Sequence, residues 1–211
     1  MSNNLSDSNF RIENSILLEY TGNDAIVTIP PDVKKIGEYA FYGRSELAKV
    51  DMQDVKEIGK SAFDGCCDLT TVYMLNVKKI GNRAFEGCYI LTTVDMLNVE
   101  EICDHAFYRC SELSTVDMLN VKKIGNRAFE GCHNLTTVDM LNVEEICDHA
   151  FEGCHNLTTV DMPNVEKIGN CAFAGCTNLT TVDMRDVEKI GKCAFAGCNE
   201  LSDERIPSYA R

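Results

Sequence analysis

Apolar residues recur along this chain at a fixed interval of 22 positions. The pair Ala-Phe marks the interval, from Ala40-Phe41 and Ala62-Phe63 to Ala194-Phe195, in eight copies. Counting from each Phe, Leu follows at six residues (Leu47 to Leu201), Val at nine (Val50 to Val182) and Met at eleven (Met52 to Met184). A second Val follows at fourteen (Val55 to Val187) and Ile at seventeen (Ile58 to Ile190). One unit reads AFxGCxxLxxVxMxxVxxIGxx, with polar and charged residues in most of the open positions. Such a unit holds too few apolar groups to bury a core alone. Stacked copies let each column continue into the next, so the columns fuse into one long core.

The segment Leu-x-x-Val-x-Met is short and partly alternating, which predicts a strand. Strands of successive units then pair in parallel with a rise of ~4.8 Å per coil, and eight coils make a rod about 38 Å long. Gly in the columns of Gly65 and Gly59 marks turns that need a positive φ or a close backbone approach. Residues 74–107 and 118–151 differ only at Tyr89/His133 and Ile90/Asn134, a two-coil duplication.

The ends depart from the pattern. Residues 1–14 read as a flexible terminus, and 15–32 as a hairpin cap whose two apolar runs flank Thr21-Gly22-Asn23-Asp24. The solenoid spans 33–206 and a short tail 207–211 follows. Glu204 stands where the Val column would continue, so the stack is expected to stop there.

The repeats resemble the BspA-like leucine-rich repeats. The phrases VKKIGEYAFYG, VKKIGNRAFEGC and VEKIGNCAFAGC, each followed by L-x-x-V-x-M, carry the likeness, as does the opening LLEYTGNDAIVTIPPDV. The unit departs from that family in having 22 residues where 23 is common. It also has Met-Leu-Asn where Leu-Pro is usual, with Pro163 the single survivor. The resemblance implies a leucine-rich-repeat solenoid with a right-handed superhelical turn. A parallel β-sheet would form one face, and short turns, 3-10 or helical segments the other. It also implies a surface or secreted protein of adhesive character, and it transfers no catalytic residue.

Charge narrows the partners. The net charge is −13, which argues against nucleic acid and anionic membrane, since both call for basic patches. No run of about 18 apolar residues is present to insert into a membrane. The amino terminus has no apolar signal segment, and the cysteine usage suits a reducing compartment. The family likeness points instead to the cell surface, so localisation stays open.

Twelve cysteines invite a disulfide reading. Seven form one column, from Cys66 and Cys88 to Cys198, and a small apolar core residue explains that column. Cys171 and Cys193, on adjacent coils, are the better candidate pair. Cys103-Asp104-His105 and Cys147-Asp148-His149 suggest zinc, but the spacing lacks a CxxC partner and a coil intervenes. His133 and His155 are expected to sit solvated in turns. No nucleophile triad, phosphate loop or dinucleotide fingerprint appears. The sequence therefore assigns no enzyme activity, cofactor or metal site.

The candidate site is the outward side of the strand, where alternate residues face solvent. A Thr column runs from Thr71 to Thr181. Beside it stands an acidic column of Asp51, Asp95, Asp117, Asp139, Asp161 and Asp183, broken by Tyr73. Leu75, Leu97, Leu119 and Leu141 form a third column, continued by Pro163 and Arg185. These leucines either lie exposed in a row or pack over the coil edge after the chain has turned. Asn76, Asn98, Asn120, Asn142 and Asn164 form a turn ladder. On the far side Lys78-Lys79, Glu100-Glu101, Lys122-Lys123 and Glu144-Glu145 alternate in sign, so each coil recognises its neighbour. The expected function is a non-catalytic binding or adhesion module for a protein or peptide ligand, basic in character. The alternative is a structural or self-associating repeat protein.

Overall fold

The structure is a computed structural model that describes residues 9–202 and 206–211. Successive 22-residue units lie one on another, and the repeat columns become files along a solenoid. Each coil contributes one strand to each of two sheets. The first is an eight-stranded parallel sheet, beginning with β3 (Ile26–Thr28) and continuing through Lys49–Asp51, Thr71–Tyr73 and equivalent segments to Thr181–Asp183. Its register pairs like with like: Thr115 lies opposite Thr137, Val116 opposite Val138 and Asp117 opposite Asp139.

The second sheet has ten strands. After β1 (Phe10–Glu13) and β2 (Ile16–Tyr20) its members are two residues long, such as Lys79–Ile80 and Glu101–Ile102. The expected solenoid with short turns opposite the first sheet is present, and this second sheet of short strands is added to it. The 22-residue period leaves only a short span between the Val and Gly columns, too short for a helical turn with its caps. An Ile pointing inward, with its backbone extended, finds the same Ile one coil away. Ile102 pairs in register with Ile80 and Ile124. A 3-10 turn at Ser208–Ala210 lies beyond the coils.

A third side is made of hydrogen-bonded turns. The Phe107 amide donates to the Ala128 carbonyl of the next coil at 2.8 Å, and Phe129 to Ala150 at 2.8 Å. Gly65 takes φ +73, the left-handed region that a Cβ disfavours. Gly125 serves differently: a Cβ there would stand 2.6 Å from the Asp104 backbone nitrogen of the coil before.

The core is the sum of the files. Phe41, Phe63, Phe85, Phe107, Phe129 and Phe151 are fully buried. From Phe41 to Phe195 the rings stack at centroid distances of 4.8 to 5.3 Å, and each pair lies within 14° of parallel. The seven column cysteines do more than fill space. Each thiol donates to the carbonyl of the Phe one coil back, Cys66 to Phe41 at 3.1 Å and Cys132 to Phe107 at 3.3 Å. Burial pushes the Cys66 thiol up to about 12 and raises Cys88, Cys110 and Cys132 well above the ordinary range.

The amino-terminal hairpin is not where the sequence suggests. Ile16–Tyr20 and Ile26–Thr28 do not pair with each other; they enter different sheets and form a first coil. Their apolar runs match the inward columns of the repeat, so stacking outcompetes a local hairpin. A hairpin does form one strand earlier, where β1 pairs antiparallel with β2. Asn14 and Ser15 turn it with φ 50 and 61, as a type I′ turn requires. Of the expected flexible segment 1–14, residues 10–13 are therefore strand, and residues 1–8 lie outside the described residues. Tyr20 stacks on Phe41 at 5.0 Å and Phe10 packs tilted against Tyr20 at 5.1 Å, closing the aromatic file.

At the other end Glu204 lies outside the described residues. The expected tail 207–211 docks: Phe195 donates to the Ala210 carbonyl at 2.7 Å and Cys193 to Tyr209 at 2.9 Å. These carbonyls replace the ones a further coil would offer.

Candidate functional site

The outward side of the three-residue strands carries the candidate residues. Inward Val72 and Met74 are buried, so the pleat turns Tyr73 and Leu75 outward. Tyr73 is 46% exposed, Leu75 49%, and Leu97, Leu119 and Leu141 37 to 38%. The chain has already turned at the leucines, which follow the strand ends, yet they remain exposed in a row. Both alternatives for this column are therefore half met.

What holds the row is the asparagine ladder. Asn98 donates its side-chain amide to the Leu75 carbonyl at 2.8 Å, and Asn120 to Leu97, Asn142 to Leu119 and Asn164 to Leu141 at 2.6 Å each. A turn carbonyl without a ladder partner is thus satisfied from the next coil.

The acidic residues stand in line. Asp139 lies in register with Asp117 and Asp161, and Asp161 with Asp183. Carboxylates one strand spacing apart repel by roughly 1 kcal/mol in water. Part of this is met locally. The Leu97 amide donates to Asp95 Oδ1 and the Leu119 amide to Asp117 Oδ1, both at 3.3 Å. Arg185 grips Asp183 through Nε at 3.1 Å and Nη2 at 2.6 Å. The hydroxyls of Thr92, Thr136 and Thr158 donate to carbonyls of the preceding coil rather than to these carboxylates.

At one end of the stripe the surface becomes concave. A depression of about 480 Å³ is lined by Asp51, Gln53, Asp54, Tyr73, Leu75, Asn76 and Asp95. Four candidate residues, Asp51, Tyr73, Leu75 and Asp95, meet there. The other candidates, Leu97, Asp117, Leu119, Asp139, Leu141, Asp161 and Asp183, continue along the open face. Lys49 places its Nζ 4.7 Å from the centre of the Tyr73 ring. Gln53, Asp54 and Asn76 were not among the sequence candidates. Gln53 breaks the Leu column in the first repeat, a departure that marks the concave end.

The remaining sequence candidates are engaged elsewhere. Asp104 Oδ1 accepts from the Asn126 amide at 2.8 Å, and Asp148 Oδ1 from Asn170 at 2.7 Å, so the two Cys-Asp-His groups feed a second ladder. The His133 and His155 rings stack at 4.9 Å, and each Nδ1 lies 2.9 Å from a glycine carbonyl of the next coil. On the second sheet the alternating charges meet across coils: Lys78 with Glu100 and Lys79 with Glu101 at 2.7 Å, and Lys122 with Glu144 at 3.3 Å. The Lys79 bond holds the Glu101 carboxyl below its usual range. Among the described residues no helix is long and apolar enough to cross a membrane.

Comparisons agree with this geometry. The model of the BspA type leucine rich repeat region matches in six copies, over residues 11–136 and 100–210. A leucine rich repeat protein of T. pallidum is similar in structure, with 27% identity and a TM-score of 0.63 over 89% of this chain and 83% of that one. A leucine rich cell surface protein of Faecalibacterium prausnitzii shares 24% identity with a TM-score of 0.55, over 97% and 82%. The TLR13–ssRNA13 complex aligns at 16% identity and a TM-score of 0.52, over 87% of this chain and 30% of that one, a likeness of fold alone. No curated protein matches the chain in sequence. With its repeat units, its stacked coils and a family model covering nearly all of it, the chain belongs to the BspA type leucine rich repeat family.

Proposed function

We propose that this protein is a non-catalytic binding module that takes a basic segment of a partner protein on its sheet face, in an adhesive role at a cell surface. The observation that carries the reading is the depression around Tyr73. An aromatic ring and a leucine line it together with the carboxylates of Asp51, Asp54 and Asp95. That combination suits a lysine or arginine side chain, whose stem packs on apolar surface and whose charge meets the ring and the carboxylates. The protein's own Lys49 already uses the ring in this way. Beyond it the Asp and Leu columns, from Asp95 and Leu97 through Asp117, Leu119, Asp139 and Leu141 to Asp161 and Asp183, offer a peptide alternate acidic and apolar contacts. The net charge of −13 favours a basic partner and disfavours nucleic acid. The cell-surface description of the F. prausnitzii relative supports the location.

The test is fluorescence anisotropy with a labelled Lys/Arg-rich peptide at low salt. Binding should weaken tenfold or more in Tyr73→Ala and in Asp95→Asn, and fall as salt rises. Equal affinity in both variants, or no binding at all, would end the reading. The exposed leucine row supports one other outcome, association of the protein with itself. Light scattering separates it: growth in mass with concentration that is abolished by Leu97→Asp with Leu119→Asp favours self-association over a separate partner.

A further inference from the structure

One turn of the coil carries a recurring pair. Arg83 reaches Glu86 at 3.0 Å and Arg127 reaches Glu130 at 2.6 Å, each three residues on. Every residue at the first position, from Tyr39 to Cys193, takes a left-handed φ between 49 and 60. The turn therefore aims each of these side chains in the same direction. In the coil after Arg127 a histidine stands at this position, and His149 Nδ1 lies 2.5 Å from Glu152 Oε2. Arginine offers no lone pair to a metal, but imidazole does.

Glu130 and Glu152 belong to one column, so stacking brings a second carboxylate to the histidine pair. One ligand atom from each of Glu130, His149 and Glu152 lies within 4.8 Å of the others, and all three residues are half-buried. We propose that Glu130, His149 and Glu152 bind a divalent first-row transition ion, zinc foremost, across the boundary of two coils. Zinc holds nitrogen at ~2.0–2.1 Å and carboxylate oxygen at ~2.0–2.2 Å, so two ligands of one tetrahedral ion stand about 3.4 Å apart. Side-chain rotation that moves the ligand atoms by about 1–1.5 Å closes that gap. The ion would replace the hydrogen bond between His149 and Glu152, the ring proton moving to Nε2 or to solvent, and would displace Arg127 from Glu130. Three protein ligands leave one position to water. Cys171 occupies the His149 position one coil on, and Glu152 is among the groups that raise its thiol, after burial and Cys193.

The chain shows no local metal motif here, because the ligands are split between coils. The signal is H-x-x-E with a second Glu 22 residues before the first, legible only once the period is known. The experiment is calorimetric titration of the full, reduced chain with zinc chloride. One site is expected, weakened at least tenfold by His149→Gln and by Glu130→Gln, and unchanged by His155→Gln. Zinc should also raise the melting temperature of the parent chain and not that of the two variants, which checks that they fold. Unchanged affinity in either His149→Gln or Glu130→Gln, as thiol binding would give, overturns the proposal. So does the absence of binding by the parent chain.

Discussion

Asn120 donates its side-chain amide to the carbonyl of Leu97, 23 residues earlier, at 2.6 Å. The bond ties a turn of one coil to the turn before it, and the same bond recurs at Asn98, Asn142 and Asn164. Removal in Asn120→Ala leaves a carbonyl that water can reach, so the expected cost is about 1 kcal/mol. A urea titration of the purified variant checks this. A loss of several kcal/mol would mean that the ladder is shielded from solvent.

The stacked phenylalanines set the stability of the rod. Phe129 is fully buried, with rings 5.2 Å away on both sides. Phe129→Ala should cost about 3–5 kcal/mol through lost burial and a cavity. Because each coil contacts only its neighbours, the middle of the rod should then unfold apart from its ends. Hydrogen exchange resolved by peptide would show the amides of coils 107–151 losing protection first.

The buried thiols give the protein an alkaline limit. Burial raises Cys88, Cys110 and Cys132 in the folded chain, while an exposed thiol ionises near pH 8.5. The unfolded chain therefore releases protons that the folded chain keeps. The stability due to these thiols is complete below about pH 8.5 and falls as pH rises above it, by up to about 1.4 kcal/mol per pH unit for each. Urea midpoints from pH 7 to 10.5 should show this decline, and Cys110→Ala with Cys132→Ala should flatten it.

The carboxyl-terminal residues close the last coil. Phe195 is 3% exposed and relies on Ala210 for its amide bond. Deletion of 207–211 uncovers its ring and strands two amides, at an expected cost of about 2–4 kcal/mol. Circular dichroism melts should show a lower midpoint, with fraying confined to the last coil.

A large part of this fold was legible in the chain. Each apolar column, from the Phe file to the Met file, became a buried file, with Val187 and Ile190 of the last coil partly exposed. The alternation of Lys79 and Glu101 became a cross-coil ion pair. The exposed residues of the candidate face followed from the alternation of Val72, Tyr73, Met74 and Leu75. The concavity at Tyr73 was not legible, since it depends on Gln53 and Asp95 from the coils on either side.

The sequence by itself determined the period, the inward set of residues and the rule that like stacks on like. A 22-residue unit that cannot bury its own apolar groups admits no other arrangement. Only the tertiary structure decided the second sheet, the hairpin at Asn14-Ser15 and the meeting of Glu130 with His149 and Glu152. A two-residue strand has no pattern of its own, and its backbone partners lie a full coil away. Those features exist because of contacts between coils, which local preferences along the chain do not encode.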